Sequence, residues 1–283
     1  MKFDHLVGGL QNDCSHPGRK NAGDDSFFKK KYLRTAAVLG TALILYTLSA
    51  RAAGFMPSNA LTGIPAGLYW LIRNFFPSKQ ALTALPLILK TLLHTAVIAA
   101  AASTLAALIA GAAAIVSSQT TGRFRLLQIS SALIASFFRN MPLPAWSMLL
   151  LLSFKQNEVT GFLALFFVTA GHLTRAFTEI IDTHTGESYT ALEAAGVPYL
   201  AIIIHGVMPA AVPLFLSWLL YAIETNVRDS ALIGILTGTG IGFLFNLYFK
   251  SFRYSEAGLI ICVLMITVLC IDGISHAVRR ALV

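Results

Sequence analysis

Charged side chains are scarce in this chain of 283 residues, where they make up 12%, against about 25% in an average soluble domain. So few charges cannot cover the surface of a globule of this size, which excludes an ordinary soluble enzyme. The 56% of hydrophobic residues also excludes intrinsic disorder, collagen and a coiled coil. The strict polar–apolar alternation that an outer-membrane barrel requires is missing too. The composition predicts an all-α integral membrane protein with several helical spans.

Cysteine is also scarce, with three residues and no Cys-x-x-Cys pair, which argues against a disulfide framework or a zinc site. The sequence shows no Ser/His/Asp or Cys/His constellation typical of a nucleophilic enzyme, and no metal-ligand spacing. We therefore predict that the chain is not an enzyme and carries no cofactor of its own. Two histidines in the predicted spans, His94 and His172, fit a packing role better than a proton relay.

The net charge of +8 comes mostly from basic residues in the N-terminal tail and the loops, so membrane topology explains it better than nucleic-acid binding. We predict a polar cytoplasmic tail at 1–34, with seven Lys or Arg, followed by a transmembrane domain at 35–283. Five prolines or glycines at 56–85 predict a loop, in which the aromatic stretch 68–76 would lie at the membrane interface.

Charge-poor stretches predict six spans, at about 35–55, 91–122, 127–153, 159–181, 202–223 and 257–274. Eleven Lys or Arg then fall on the side of the tail and five on the other side, which predicts that both ends face the cytoplasm. The inner segment 182–200 is an exception, because it has three acidic residues and no Lys or Arg. We expect this segment to contact a protein rather than lipid.

The same segment has the pattern of a helix–turn–helix elbow. Residues 188–195 favour a helix, Gly196 can end it in the left-handed conformation, and Pro198 prevents its continuation. A second short helix can begin near Pro198 and lead into the fifth span.

This elbow resembles the EAA loop of permease subunits in ATP-binding-cassette importers, which reads Glu-Ala-Ala, three residues, Gly, nine residues, Ile, one residue, Leu-Pro. The positions that match are Ala191, Gly196 and Pro209, and those that depart are Thr190, Leu192, Gly206 and Met208. The departure at 190 removes the glutamate that would pair with the ATPase. Glu187 and Glu193 lie three residues to either side, on nearby helix faces, and can substitute for it. An ordinary connecting loop is the alternative.

A glycine-rich segment, 226–246, follows the fifth span. It contains Asn226-Val227-Arg228 and then Gly238-Thr-Gly240-Ile-Gly242-Phe243, an order similar to the phosphonate-type branch of these permeases, as is Arg139-Asn140-Met141-Pro142. The run lacks the Lys-Ser/Thr ending of a P-loop, so we do not predict nucleotide binding. We expect its glycines to let the backbone bend on the periplasmic side, as in broken helices that line a pathway.

Ionisable residues at membrane depth usually face the protein interior or water. The candidates for a substrate pathway are Arg139, Glu224, Asn226, Arg228, Gly238, Gly240 and Gly242. An arginine fork suits phosphorus oxyanions, so Arg139 and Arg228 can line such a pathway. The alternative is structural pairing of Arg228 with Glu224 or Asp229, and of Arg139 with backbone carbonyls.

The resemblance implies a type I importer permease in the bacterial cytoplasmic membrane, translocating a phosphonate, phosphite or hypophosphite. It further implies a second permease chain, identical or different, an ATP-binding subunit that binds ATP-Mg, and a periplasmic substrate-binding protein. A methionine or sulfonate permease is the nearest alternative. A self-sufficient secondary transporter and a membrane scaffold or sensor are the alternatives from other classes.

Overall fold

The computed structural model describes residues 22–55 and 57–282, with side chains at 30–55 and 62–280, and every regular element among them is helical. The chain divides into two compact units, Met1–Leu68 and Tyr69–Val283. The first unit contains α1, Ala22–Ala52, and the beginning of α2, Pro57–Phe75. Within α1, the stretch Lys30–Ala52 is long and apolar enough to cross a membrane.

The second unit holds the end of α2, a 3₁₀ turn at Ala81–Ala84 and the remaining helices. These are α3 (Leu85–Ser117), α4 (Arg125–Asn140), α5 (Leu143–Phe154), α6 (Glu158–His184), α7 (Gly186–Ala194), α8 (Tyr199–Ala201), α9 (Met208–Thr237), α10 (Gly240–Lys250) and α11 (Tyr254–Leu282). A π-helical turn, Ile202–Val207, joins α8 to α9. Within the described residues, five stretches are long and apolar enough to cross a membrane: Lys30–Ala52, Ala81–Ser117, Glu158–His184, Tyr199–Thr237 and Tyr254–Arg280. The protein is an all-α membrane protein.

Helix α6 is the most enclosed of these stretches, because 50% of its most apolar 18-residue segment is buried. It packs against α3, whose buried face is a stripe of small side chains: Ala99, Ala102, Ser103, Ala106, Ala110 and Ala114. The three- and four-residue spacing puts this stripe on one side of the helix, and small side chains let two helices approach closely. The small side chains of α3 therefore allow its close contact with α6 in the second unit.

The third predicted span, 127–153, is not one helix. It consists of α4 and α5, which are interrupted at Met141 and Pro142. Met141 is extended, with ψ of 127°, because a following proline disfavours the helical conformation of the residue before it. The 12 residues of α5 extend about 18 Å, well short of a hydrocarbon core of about 30 Å. For this reason the described residues contain five long apolar helices where six spans were expected.

The prediction of a loop over 56–85 was wrong for its first two thirds, because α2 occupies Pro57–Phe75. Proline is tolerated at a helix start, and the apolar residues that follow favour a helix over a loop. In the second unit, the end of α2 is fixed by aromatic packing. The Trp70 and Tyr254 ring centroids lie 5.2 Å apart, and the Phe75 ring stacks on Tyr254 at 5.7 Å.

Two helix boundaries also differ from expectation. Helix α1 begins at Ala22, so the end of the predicted polar tail is helical, while 1–21 lie outside the described residues. Helix α9 continues to Thr237, so the first part of the glycine-rich segment is also helical. Asn226 does not interrupt α9, because its side chain finds hydrogen-bond partners on α3 and α6.

Candidate functional site

The predicted elbow is present, and its turn is a Schellman motif. Helix α7 ends at Ala194, and Gly196 has a φ of +78°, the left-handed conformation that glycine adopts without a Cβ penalty. The Gly196 N–H donates to the Glu193 carbonyl at 2.9 Å, and the Val197 N–H donates to the Leu192 carbonyl at 3.2 Å. Val197 and Leu192 both pack against the core beneath the elbow, so the turn has a fixed angle.

The second half of the elbow leads without a break into α9. Pro198 precedes α8, and the π-helical turn that follows includes a bond from the Met208 N–H to the Ile203 carbonyl. Pro209, the matching proline of the EAA pattern, begins α9 directly after this turn. A proline ring collides with the carbonyl four residues earlier in a regular helix, and the wider π turn relieves that collision. The elbow and α9 are thereby continuous along the chain.

A polar turn between α3 and α4, residues 118–122, fastens the elbow to the end of α6. The Asp182 carboxylate accepts hydrogen bonds from the Ser118 hydroxyl at 2.6 Å and from the Thr120 N–H at 3.1 Å. The Tyr199 hydroxyl donates to the Thr121 carbonyl at 3.0 Å, and the Arg123 guanidinium lies 4.5 Å from the Tyr199 ring centroid. We call this set the buttress. The sequence analysis missed the role of the turn at 118–122, although a short polar turn between two apolar helices was its signal.

The outward face of α7 is exposed and acidic. The exposed members are Glu187, Thr190, Ala191 and Glu193, so all four candidate contact residues of this helix share accessible positions. Tyr189 points inward, and its burial, with a smaller contribution from the Glu193 carboxylate, raises the pKa of its phenol. This geometry suits docking of a basic or neutral groove on another protein.

Replacing Asp182 by alanine is expected to loosen the buttress. Ser118 is fully buried, and its hydroxyl would lose its acceptor, which costs about 1–3 kcal/mol. The Thr120 N–H would keep only the Ser118 hydroxyl oxygen, at 3.1 Å, as its acceptor. Asp182→Asn keeps an acceptor oxygen and should cost less. The measurement is the thermal midpoint of the purified protein, with Glu179→Ala, an exposed carboxylate one turn earlier, as the control. Equal midpoints for Asp182→Ala and Glu179→Ala would contradict the buttress.

The pathway candidates do not converge on one cavity. Arg139 lines a groove of about 440 Å³ between α4 and α6, whereas Arg228 borders a separate apolar cavity of about 290 Å³. Arg228 donates to the Glu224 carboxylate at 2.8 Å, the structural pairing that the sequence analysis gave as the alternative. Asn226 is buried, and its amide nitrogen donates to Ser103 and Thr169, both at 2.8 Å. Asn226 thereby joins α9 to α3 and α6.

The three glycines of the pathway set shape a tight α9–α10 hairpin. Gly238 and Gly240 have positive φ angles of 71° and 63°, and the Ile241 N–H donates to the Thr95 hydroxyl of α3 at 3.0 Å. A Cβ on Gly242 would collide with the Ala231 carbonyl oxygen and would lie 2.7 Å from the Ile235 amide nitrogen. The hairpin therefore depends on close backbone contact between α9 and α10.

Across residues 22–55 and 57–282, no three His, Cys, Asp or Glu side chains group as a metal site.

Comparison with known proteins matches residues 103–282 to the family described as "Binding-protein-dependent transport system inner membrane component". A phosphate-import permease protein of Mycolicibacterium smegmatis is 26% identical over 83% of this chain, and the chain spans 44% of that relative's length. A phosphite transport system permease protein of Stutzerimonas stutzeri is 23% identical over 68% of this chain and 70% of its own.

Among solved structures, an inward-facing MetNI methionine ABC transporter has a similar fold. The TM-score is 0.62 at 17% identity, covering 73% of this chain and 99% of that chain. The matched family residues include α6, the elbow, α9 and the α9–α10 hairpin. The chain therefore belongs to the binding-protein-dependent transport system inner membrane components and is a multi-pass membrane protein.

Proposed function

We propose that this chain is the permease subunit of an ATP-binding-cassette importer for a small phosphorus oxyanion: phosphonate, phosphite or hypophosphite. The elbow carries the proposal. It presents an exposed acidic helix to the cytoplasm and is joined through the π turn to a long apolar helix. The relatives named for phosphate import and phosphite transport support the choice of substrate class.

In the proposed mechanism, the chain has no ATPase site, and ATP-Mg binds to a separate subunit that receives the elbow. Closure of two such subunits moves α7 relative to the membrane. The buttress ties α8, the second half of the elbow, to the ends of α3 and α6, so the elbow and these helices would move together between inward- and outward-facing states. Nucleotide can drive this change only because it binds one of the two states better than the other.

The substrate would reach the outer mouth from a periplasmic binding protein and pass beside a second permease chain, identical to this one or different. Hairpin α9–α10, with Gly238, Gly240 and Gly242, lies at the end of α6 and α9 opposite the elbow, which is the position expected of the outer mouth. The apolar surfaces of the spans would face lipid or the second chain.

The proposal is tested by reconstituting the purified complex in vesicles with its binding protein and ATP, and measuring uptake of a solute panel. Phosphite, hypophosphite, methylphosphonate, methionine and a sulfonate make up the panel. We expect ATP-dependent uptake of at least one phosphorus oxyanion. ATP-dependent uptake of methionine or the sulfonate alone would overturn the substrate class, and uptake without ATP would indicate a secondary transporter.

Substitution of the two arginines is expected to have different consequences. Arg139 has no ion pair among the described side chains, so Arg139→Gln would remove a charge available to the substrate. A charge-assisted hydrogen bond contributes about 1.5–3 kcal/mol, so uptake should fall by roughly one to two orders of magnitude at normal membrane levels.

Arg228→Gln should instead act through Glu224, whose side chain is only 12% exposed and would lose its partner. The double variant Glu224→Gln/Arg228→Gln removes both charges and should recover membrane level and uptake relative to Arg228→Gln alone. Undiminished uptake by both Arg139→Gln and Arg228→Gln would end the assignment of these arginines to the pathway.

A further inference from the structure

The groove between α4 and α6 is positively charged. It is lined by three arginines, Arg125 and Arg139 on α4 and Arg175 on α6, and by one carboxylate, Asp182. The Asp182 oxygen that faces the buttress already accepts from Ser118 and Thr120. Among the described side chains, none of the three arginines forms an ion pair. The groove therefore carries an excess of unpaired positive charge.

The sequence of α4 explains why this charge is concentrated. Arg125, Gln128, Ala132, Ala135 and Arg139 recur at spacings of three and four, so they share one face of the helix. That face turns toward α6, where a Cβ on Gly171 would lie 2.7 Å from the Arg139 amide nitrogen. The opposite face of α4 is apolar and exposed, as at Leu126, Ile134 and Phe137. Lipid or another protein covers such a face, and the polar face remains for the groove.

The groove leads from the middle of α6 to its cytoplasmic end. Arg139 lies beside Gly171, and Asp182 lies eleven residues further along α6, which corresponds to about 16 Å of helix. Arg175 lies between them, and Gln128 and Thr178 add neutral hydrogen-bonding groups. The volume of the groove, about 440 Å³, falls within the roughly 300–1,000 Å³ typical of small-molecule sites.

We propose that this groove binds a phosphorus oxyanion within the single chain, with Arg139, Arg175 and Arg125 as successive contacts toward the cytoplasm. Guanidinium groups present paired N–H donors that match phosphate-type oxygens, and three of them in one cleft repel cations and attract anions. The inference rests on the proposed function for the identity of the anion. The same chemistry also fits a lipid phosphodiester, so the test separates the solute from lipid.

The test uses the purified complex with Thr178→Cys in the groove and the native cysteines, Cys14, Cys262 and Cys270, changed to alanine. Two methanethiosulfonate reagents, one bearing a sulfonate and one a trimethylammonium group, are compared at constant ionic strength. The sulfonate reagent should react faster than the cation. Because charged clefts change local ion concentrations by about 10- to 1,000-fold, Arg139→Gln and Arg175→Gln should each reduce this preference about fivefold. Arg279→Gln, a partly buried arginine on α11 outside the groove, should leave it unchanged.

Inorganic phosphate and methylphosphonate are then added as protecting ligands, in vesicles of neutral lipid and in vesicles containing phosphatidylglycerol. Slower labelling with either solute in neutral lipid supports a solute site. Protection by phosphatidylglycerol alone supports the oxyanion groove and assigns it to lipid. No protection in either vesicle, or no preference for the sulfonate reagent, would overturn the proposal.

This outcome is separable from that of the uptake panel. A complex that imports only methionine but still shows phosphate protection refutes the proposed substrate and retains the groove. A complex that imports phosphite, but in which Arg139→Gln and Arg175→Gln change neither protection nor labelling, refutes the groove alone. The wild-type protection measurement stands even if an arginine variant fails to assemble.

Discussion

Gly196→Leu is expected to abolish most ATP-driven uptake while the chain still inserts into the membrane. With φ at +78°, a leucine at this position costs about 1–2 kcal/mol, which makes the ordered turn roughly 5 to 30 times less populated against its alternatives. Loss of the turn would release the Val197–Leu192 hydrogen bond and the fixed angle between α7 and α8. ATP hydrolysis would then no longer move α9. The measurement is uptake per ATP hydrolysed in vesicles.

Gly196→Asn is the matched control, because asparagine is close to leucine in size but tolerates the left-handed conformation. No atom lies within 4 Å of a Cβ placed at this position, so within this chain the two variants differ mainly in backbone strain. We expect Gly196→Asn to retain most of the coupling. Equal, near wild-type uptake by both variants would show that the turn is not part of the coupling path.

Gly242→Ala is expected to destabilise the whole protein. The added methyl group would overlap the Ala231 carbonyl oxygen. This oxygen belongs to the backbone of α9 and the methyl group is attached directly to the backbone of α10, so α10 has to move away from α9. Overpacking of this kind costs about 1–3 kcal/mol and sometimes more. In a chain of this size a loss of 3 kcal/mol lowers the thermal midpoint by about 6–12 °C. The measurement is the melting of the purified complex, together with its level in the membrane.

Gly111→Ala provides the control for that experiment. Gly111 lies inside α3, and nothing lies within 4 Å of a Cβ there, so alanine should be neutral or slightly stabilising. Equal thermal midpoints for Gly242→Ala, Gly111→Ala and the wild type would contradict the close α9–α10 contact. A lower thermal midpoint for Gly242→Ala alone would show that Gly242 is required for the close packing of α9 against α10.

Local rules were sufficient to predict the elbow. A helix-favouring run, a glycine and a proline two residues later allow few other conformations, and the structure has the left-handed Gly196 and the second helix after Pro198. Long apolar runs likewise predicted α3, α6 and α11, because hydrophobicity over twenty residues requires no tertiary information.

Tertiary contacts determined what the sequence analysis missed. Pro142 lay inside an apolar run that looked continuous, and only the extended Met141 shows that the chain breaks there. Asn226 was a pathway candidate as part of the Asn226-Val227-Arg228 run, and nothing local predicts its hydrogen bonds, because its partners Ser103 and Thr169 are distant in sequence. The bonds from Ser118 and Thr120 to Asp182 are equally non-local, since they join residues more than sixty positions apart.

The central claim, that this permease is driven by a separate ATPase through its elbow, is tested most directly by co-purification. The chain is tagged in its native membrane, extracted gently and assayed for a bound ATP-hydrolysing subunit. We predict that such a subunit accompanies the wild-type chain and that Gly196→Leu or Glu193→Lys weakens its retention. A chain that purifies alone and moves solute into vesicles without ATP would contradict the account.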